Sequence, residues 1–330
     1  MKIFFLIIFV FLSFNFSLSK EINIIFKIDN QIVTNIDLDN EVKYLTTFNK
    51  NLQKLKIDEI KEIAKNYIIQ EKIKNDEIKK TITIKDKDFE KKVMSDFIKK
   101  QGFLNEEDFN KFLNENDINY NILKSKIVNG IFWNQIIYEK FKNKLKINTV
   151  EIKKEVRNAL EKQKKNYNYK ISEILIKNDN NYIEKFNLVK EEIDNSSFET
   201  AANKFSISDS AKNGGQLGWI EGPSLSADIE NILSNLKINE YSKPFEVPGG
   251  FLILKLSNKK EISKNIDFDK QVELRTNFEI NKQLTQYSIM YYKKLEQNTS
   301  INEGWKNFNI IGTTKKCIFW NTYKIFKKKI

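Results

Sequence analysis

The sequence predicts an α+β protein, in which a helical lobe is completed by a helix near the C-terminus and carries one inserted, sheet-containing domain. Three observations predict this arrangement. Apolar residues recur at helical spacing through most of residues 35–164, without a proline. All three prolines and six of the ten glycines fall within residues 214–250, between two strand-like runs. Helical spacing then returns after Lys259.

The predicted helical lobe begins with a short hairpin. Residues 21–33 read INIIFKIDNQIVT, which is typical of two strands joined by a turn at Asp29 and Asn30. Thr34 or Asn35 can then cap a helix, because both side chains can accept a hydrogen bond from the first helical turn. Further helices are predicted over residues 57–80, 89–98, 105–116, 117–145 and 150–164. Each has a wide apolar stripe, so we expect these helices to pack on one another.

The inserted domain is predicted to alternate strands and helices. Its strands are residues 170–177 and 251–256, and its helices lie near residues 182–193, 198–205 and 226–236. After this domain, apolar side chains recur at i, i+3, i+7 and i+11, at Leu284, Tyr287, Tyr291 and Leu295. One helix cannot bury such a stripe alone, so we expect it to fold back onto the N-terminal helices.

Composition excludes several classes of chemistry. The chain has 330 residues, no histidine and one cysteine. The absence of histidine excludes catalysis by Ser-His-Asp or Cys-His and metal sites with histidine ligands. The single cysteine excludes Cys-based zinc fingers and disulfide scaffolds. No glycine-rich stretch leads into a helix with a lysine at P-loop spacing. We expect no cofactor and no metal.

The net charge of +12 comes from lysines scattered among acidic residues. Interleaved charges are typical of solvated helix faces, so we expect no nucleic-acid partner. The C-terminal segment differs, because residues 304–330 contain seven lysines and no acidic residue. This basic tail is either a frayed terminus or a contact for anionic lipid or polysaccharide.

The first residues have the layout of a secretory signal peptide. A positive charge at Lys2 precedes an apolar run over residues 3–12, and small and polar residues follow up to Ser19. The run is too short to span a membrane, which needs about 20 residues, although an uncleaved anchor is the alternative. We expect cleavage after Ser19, a periplasmic product and no integral membrane span after cleavage.

One segment resembles a parvulin-type, PpiC-like peptidyl-prolyl isomerase domain. The resemblance rests on an ordered series of motifs: F-x-x-x-A-x-x-F-S from Phe198, SAKNGGQLGW from Ser210, an acidic helix, YSKP from Tyr241 and GFLILKL from Gly250. The preceding ISEILI fits the family's first strand. The resemblance implies a small antiparallel sheet with surrounding helices.

Other segments resemble SurA-type periplasmic chaperones, namely FKIDNQIVTNIDLDNEVKYL, NDINYNILKSKIVNGIFWNQI and LTQYSIMYYKKLE. In that family the N-terminal and C-terminal helices form one chaperone module. The resemblance implies five parts: a signal peptide (1–19), a helical N-terminal chaperone domain (20–165), a parvulin-like domain (166–260), a C-terminal helix packing back on the N-terminal domain (261–303) and the basic tail (304–330).

The resemblance also assigns the catalytic positions. Active parvulins carry two histidines, a Cys or Asp and a Thr or Ser around the proline pocket. In this sequence the matching positions hold Glu173, Ser208, Val247 and Leu252, with Asp209 beside Ser208. Leu252 cannot join a hydrogen-bond network. Glu173 is either a site residue or simply an exposed or paired carboxylate on a strand.

The apolar part of the site is better retained. The ring-binding positions of the family match Leu217, Leu225 and Ile229, with Phe251 nearby. These residues form either a cleft for proline or an apolar peptide, or the ordinary core of a small domain.

Two functions follow from the resemblance. The first is a periplasmic chaperone that binds unfolded or nascent outer-membrane and exported proteins, as a monomer, with a parvulin-type domain that has lost its catalytic polar residues. The alternative is an active peptidyl-prolyl cis-trans isomerase that assists folding of exported proteins and uses Ser208, Asp209 or Glu173. An envelope-binding role directed by the basic tail is a third possibility.

Overall fold

The computed structural model describes residues 21–82, 86–162, 166–178, 181–247, 249–262 and 267–302. The predicted signal peptide, the basic tail with its cysteine, and Pro248 lie outside the described residues. Within the described ranges, no helix combines the length and apolar character needed to cross a membrane.

A small sheet joins the two ends of the described chain. Strands β1 (Ile24–Ile28) and β2 (Gln31–Thr34) form the predicted antiparallel hairpin, with Asp29 at positive φ in its turn. A short strand near the C-terminus, here called the closing strand (Ile301–Asn302), pairs with the other edge of β1. Asp29 and Ser300 exchange two hydrogen bonds of 2.8 Å, which hold this third strand in register.

Six helices follow the hairpin, close to their predicted positions. Thr34 caps the first one, and its hydroxyl and the Asp37 carboxylate each accept a hydrogen bond from the other's backbone N–H. Asn105 caps the fourth, whose first turn is acidic and therefore favoured by the helix dipole. The helices are α1 (Asn35–Phe48), α2 (Ile57–Thr81), α3 (Lys87–Lys100), α4 (Glu106–Glu115), α5 (Tyr120–Phe141) and α6 (Thr149–Lys162).

The inserted domain is built on a four-stranded antiparallel sheet. Its elements are β3 (Asn166–Lys177), α7 (Tyr182–Asn195), α8 (Phe198–Phe205), β4 (Gln216–Glu221), α9 (Ala227–Asn235), β5 (Phe245–Val247) and β6 (Gly250–Ile262). The strand order is β4-β3-β6-β5. Strands β3 and β6 pair along their whole length and are longer than the sequence predicts, because charged residues extend them beyond their apolar centres.

The last helix, α10 (Phe268–Gln297), returns to the helical lobe. Its predicted stripe packs against a buried cluster contributed mainly by α5. Within this contact, the Trp133 indole N–H donates a 2.8 Å hydrogen bond to the Ser288 hydroxyl, and Phe141 stacks on Tyr287 with centroids 4.7 Å apart. The predicted α+β fold, with its helical lobe completed by a C-terminal helix, is therefore confirmed.

Trp133→Phe is expected to lower the free energy of unfolding by about 2–4 kcal/mol, because it removes buried volume and leaves the Ser288 hydroxyl unpaired. Ser288→Ala should cost about 1–3 kcal/mol. Because both changes remove the same hydrogen bond, the double variant should cost less than their sum in urea denaturation. Trp219→Phe is the control, since Trp219 is 49% exposed. If the costs of the two single variants simply added in the double variant, the hydrogen bond between Trp133 and Ser288 would be contradicted.

Candidate peptide-binding site

The positions matched to the isomerase site meet on one face of the inserted sheet. Glu173 lies on β3 two residues before Leu175, so both side chains point to the same face. On β6, Leu254 pairs with Glu173 and Leu252 pairs with Leu175. Glu173 and Leu252 are therefore neighbours across the two central strands.

A chain of hydrogen bonds, the hydroxyl chain, links Glu173 to the segment after α8. The Ser210 hydroxyl donates to Glu173 Oε1 at 2.9 Å. The hydroxyl oxygens of Ser208 and Ser210 are 2.6 Å apart, those of Ser206 and Ser208 are 3.0 Å apart, and the Leu175 N–H donates to Ser206 Oγ. An ionised carboxylate only accepts hydrogen bonds, so the Ser210 hydroxyl proton points toward Glu173. The structure thus brings Glu173 and Ser208 together through Ser210.

The Glu173 carboxyl is mostly buried. Burial raises its pKa above the ordinary value of 4.5 and the nearby Asp209 carboxylate adds to the rise, while the hydrogen bonds from Ser210 and Ser208 partly oppose it. Its backbone is fixed as well, since a Cβ on Gly215 would lie 2.1 Å from the Glu173 carbonyl oxygen. Of the alternatives drawn from the sequence, the structure shows a paired carboxylate, whose partner is the Ser210 hydroxyl.

Asp209 points away from the hydroxyl chain. It lies in a short 3₁₀ segment (Asp209–Asn213), and its carboxylate forms a 3.1 Å ion pair with Lys74 of α2. Burial alone would raise the pKa of Asp209, but attraction from Lys74 and Lys212 outweighs it and the pKa falls below its ordinary value. Asp209 thus contacts the helical lobe.

An apolar cluster lies beside the hydroxyl chain on the same face of the sheet. Leu225 and Ile229, before and within α9, are buried against Leu252 of β6. Val247 of β5 packs against the edge of this cluster. At two of the four matched catalytic positions the side chain is therefore part of a packed apolar surface.

Two residues expected in the pocket lie elsewhere. Phe251 precedes Leu252 on β6 and so points to the opposite face, where its ring stacks on Tyr182 of α7 at 4.2 Å. Phe251 therefore lies on the opposite face of the sheet from Leu225 and Ile229. Leu217 of β4 is 39% exposed and lies outside the apolar cluster.

Helix α10 lies against this face of the inserted domain. Phe278 and Ile289 pack against the buried group that contains Leu225, Ile229 and Leu252. At its start, the Gln271 amide donates to Glu221 at the end of β4. The protein's own helix therefore contacts the surface on which a proline ring is expected to rest.

Phe278 and Ile289 were not identified from the sequence, although a signal was present. They are 11 residues apart, which is three helical turns, so they share one face. That face is more than 100° from the stripe of Leu284 and Tyr291. A helix with two apolar faces indicates two packing partners, and here the second is the inserted domain.

Chemically, the site combines an apolar surface with a buried, hydrogen-bonded carboxyl group. Among the residues that the structure describes, no group of three or more His, Cys, Asp or Glu side chains is placed to hold a metal ion. The arrangement places Glu173 beside a packed apolar surface. At Val247 and Leu252 it provides no polar group for the amide of a bound peptide.

Comparisons with known proteins agree with this architecture. Residues 154–258 match the family described as "Rotamase: PPIC-type PPIASE domain". The chain is 38% identical over 61 residues to the chaperone SurA of Pseudomonas putida, covering 18% of this chain and 14% of that protein. It is 27% identical over 112 residues to the chaperone SurA of Pseudomonas aeruginosa, covering 32% of this chain and 26% of the relative.

A solved structure from Campylobacter jejuni, described as a SurA-like chaperone, is 15% identical with a TM-score of 0.34 and covers 84% of this chain and 98% of its own. The matches to the two Pseudomonas relatives span about a quarter or less of their lengths. Residues 154–258 therefore form a parvulin-type (PpiC) peptidyl-prolyl isomerase domain, within a chain that is homologous to the SurA chaperones over part of its length.

Proposed function

We propose that the protein is a periplasmic chaperone that binds unfolded outer-membrane and exported proteins and acts by binding rather than by isomerase turnover. The observation that carries the proposal is the homology to SurA chaperones in a chain that also has a PpiC-type domain. The layout of residues 1–19 supports export. No nucleotide is needed for this role, because holding an unfolded chain requires only reversible contact.

An aromatic patch on the helical lobe is the proposed client surface. It consists of half-buried rings around a buried core from α3 and α4, beside Leu104, which is 93% exposed. Several of these rings pack edge to face, which fixes an apolar surface that solvent still reaches. The rings are Tyr44, Phe48, Phe97, Phe103 and Phe112.

Such a surface suits outer-membrane clients. Their strands alternate apolar and polar residues and carry aromatic girdles, so an unfolded segment presents apolar side chains at short intervals. Ordering a disordered client opposes binding by several kcal/mol. Weak, rapidly exchanging contacts are the expected result, and they allow release without an energy source.

Binding without turnover is supported by the composition of the site. Prolyl isomerisation must lower a barrier of about 18–20 kcal/mol for rotation about an amide bond. Val247 and Leu252 provide no polar group for the twisted amide, and α10 packs against the apolar cluster. The alternative function, an active isomerase, is favoured by one observation: the hydroxyl chain places Ser208 and Glu173 beside Leu225 and Ile229.

The chaperone proposal predicts that the purified protein suppresses aggregation of a urea-unfolded β-barrel protein after dilution, without nucleotide, as measured by light scattering. Leu104→Glu should raise the concentration needed for half suppression several-fold, because burying a leucine contributes about 1.5–3 kcal/mol to binding. Ile183→Glu is the matched control on the inserted domain, since Ile183 is 61% exposed. Absence of suppression at several-fold molar excess would overturn the proposal.

For the isomerase alternative, we expect the full chain to leave the rate of a protease-coupled proline-peptide assay at its uncatalysed value. The double variant Phe278→Ala, Ile289→Ala uncovers the apolar cluster and should also give the uncatalysed rate, since it restores no polar group at Val247 or Leu252. Acceleration by either protein, lost on Ser208→Ala, would establish turnover instead.

Burial of Glu173 predicts a pH dependence of stability. Its pKa in the folded protein lies above the ordinary 4.5, so protonation favours the folded state. The contribution of this group is fully present below pH 4.5 and is lost as the pH rises through the folded-state pKa. Glu173→Gln keeps an acceptor for Ser210, so its stability relative to the natural protein should increase from pH 4 to pH 7 in urea denaturation.

Glu184→Gln, on the exposed face of α7, is the control for the loss of one negative charge. The burial of this carboxyl group would be contradicted if the stability of the Glu173→Gln variant relative to the natural protein decreased with rising pH.

A further inference from the structure

A second site lies between the helical lobe and the inserted domain. This interlobe cavity has a volume of about 290 Å³ and is bounded by α1, α2, α5 and the 3₁₀ segment after Ser208. Its walls carry charged groups together with the apolar side chains of Ile127 and Ile131. It is distinct from the apolar cluster under α10, because the two share no residue.

Most charges around the cavity are paired. The Lys126 ammonium lies 2.5 Å from a Glu41 oxygen and also contacts Glu71, and Lys74 pairs with Asp209 at 3.1 Å. Burial raises the pKa of Glu41, while the attraction of Lys126 opposes the rise. These carboxylates make their ion pairs with Lys126 and Lys74, while Asp209 and Glu71 attract the remaining cation only from a longer distance.

That remaining cation is Lys212. Within the described part of the chain, its ammonium forms no ion pair and no hydrogen bond, and it lies 5.6 Å from the centroid of the Tyr67 ring. Burial, reinforced by the positive charge of Lys74, lowers the pKa of Lys212. An anion in the cavity would offset both effects.

A second donor faces the same space. Asn203 lies beside the buried Tyr67 hydroxyl on the donor side, and among the described residues no acceptor takes the Tyr67 proton. Burial raises the pKa of Tyr67, so the hydroxyl keeps its proton and can donate. The Lys212 ammonium lies over the Tyr67 ring and both residues line the cavity, so the ammonium and the phenol can be matched by the two acceptor oxygens of one carboxylate.

We infer that the interlobe cavity binds a carboxylate group of a client polypeptide, with the Lys212 ammonium and the Tyr67 hydroxyl as its two donors. Ile127 and Ile131 form an apolar wall for the residue that carries the carboxylate. The inference rests on the proposed chaperone function only in naming a polypeptide as the ligand. The carboxylate belongs either to an acidic side chain or to a chain terminus.

The test is a calorimetric titration of the full chain with three N-acetylated peptides that share one aromatic sequence. One has a free C-terminal carboxylate, one is amidated and contains a single Glu, and one is amidated and neutral. We expect at least one anionic peptide to bind at least tenfold more tightly than the neutral one, and the tighter of the two identifies the source of the carboxylate. Equal binding of all three overturns the inference.

Two variants locate the binding. Lys212→Met should abolish the preference for the anionic peptide, and Tyr67→Phe, which keeps the ring, should reduce it several-fold. Lys237→Met and Tyr138→Phe are matched controls on exposed side chains and should leave it unchanged. A preference that survives both Lys212→Met and Tyr67→Phe would place the carboxylate elsewhere and overturn the inference.

Aggregation suppression measured on the same preparations separates the two proposals. A protein that suppresses aggregation but shows no preference for a carboxylate overturns the cavity inference alone. A protein that prefers the anionic peptide but fails to suppress aggregation contradicts the chaperone proposal alone.

Discussion

The structure depends on the packing of α10 between two partners. One face of this helix fills the apolar surface of α5, and the opposite side places Phe278 and Ile289 on the sheet of the inserted domain. Buried Arg275 adds ion pairs to Glu155 of α6 and to Glu279 within α10. Because one rigid helix makes both contacts, the position of the inserted domain relative to the helical lobe is coupled to the integrity of α10.

The same packing determines what the inserted domain can do. A parvulin-type site needs an apolar surface and polar groups arranged around the bound amide. Here the apolar surface is present, and the polar groups form an internally satisfied chain that ends on Glu173. A network whose donors and acceptors already satisfy one another stabilises the loop after α8.

Periodicity and turn residues predicted most of the fold. The hairpin at Asp29, the cap at Asn105 and the return of the stripe containing Tyr287 all follow from local pattern and chemistry, which the structure retains. The closing strand could not be predicted in this way. It has only two residues, and its partner, β1, is far away in the sequence.

The candidate site could be predicted only in part. The residues matched by motif, Glu173 and Ser208, do lie together, because the motif records their place on the sheet. Phe251 and Leu252 are neighbours in the motif, but side chains alternate along a strand, so the two lie on opposite faces of the sheet. The interlobe cavity was not predictable, since Tyr67 and Lys212 are separated by most of two domains and meet only through tertiary packing.

The closing strand imposes an order on folding. Strand β1 is made early, yet one of its edges stays unpaired until residues 301–302 have been synthesised. The inserted domain is contiguous and can fold before then, whereas the helical lobe must wait for α10 and for closure of a loop that contains nearly the whole chain. During that interval the open edge of β1 is a site for mispairing with other chains. The lobe is thus completed only after the inserted domain and α10 have been synthesised.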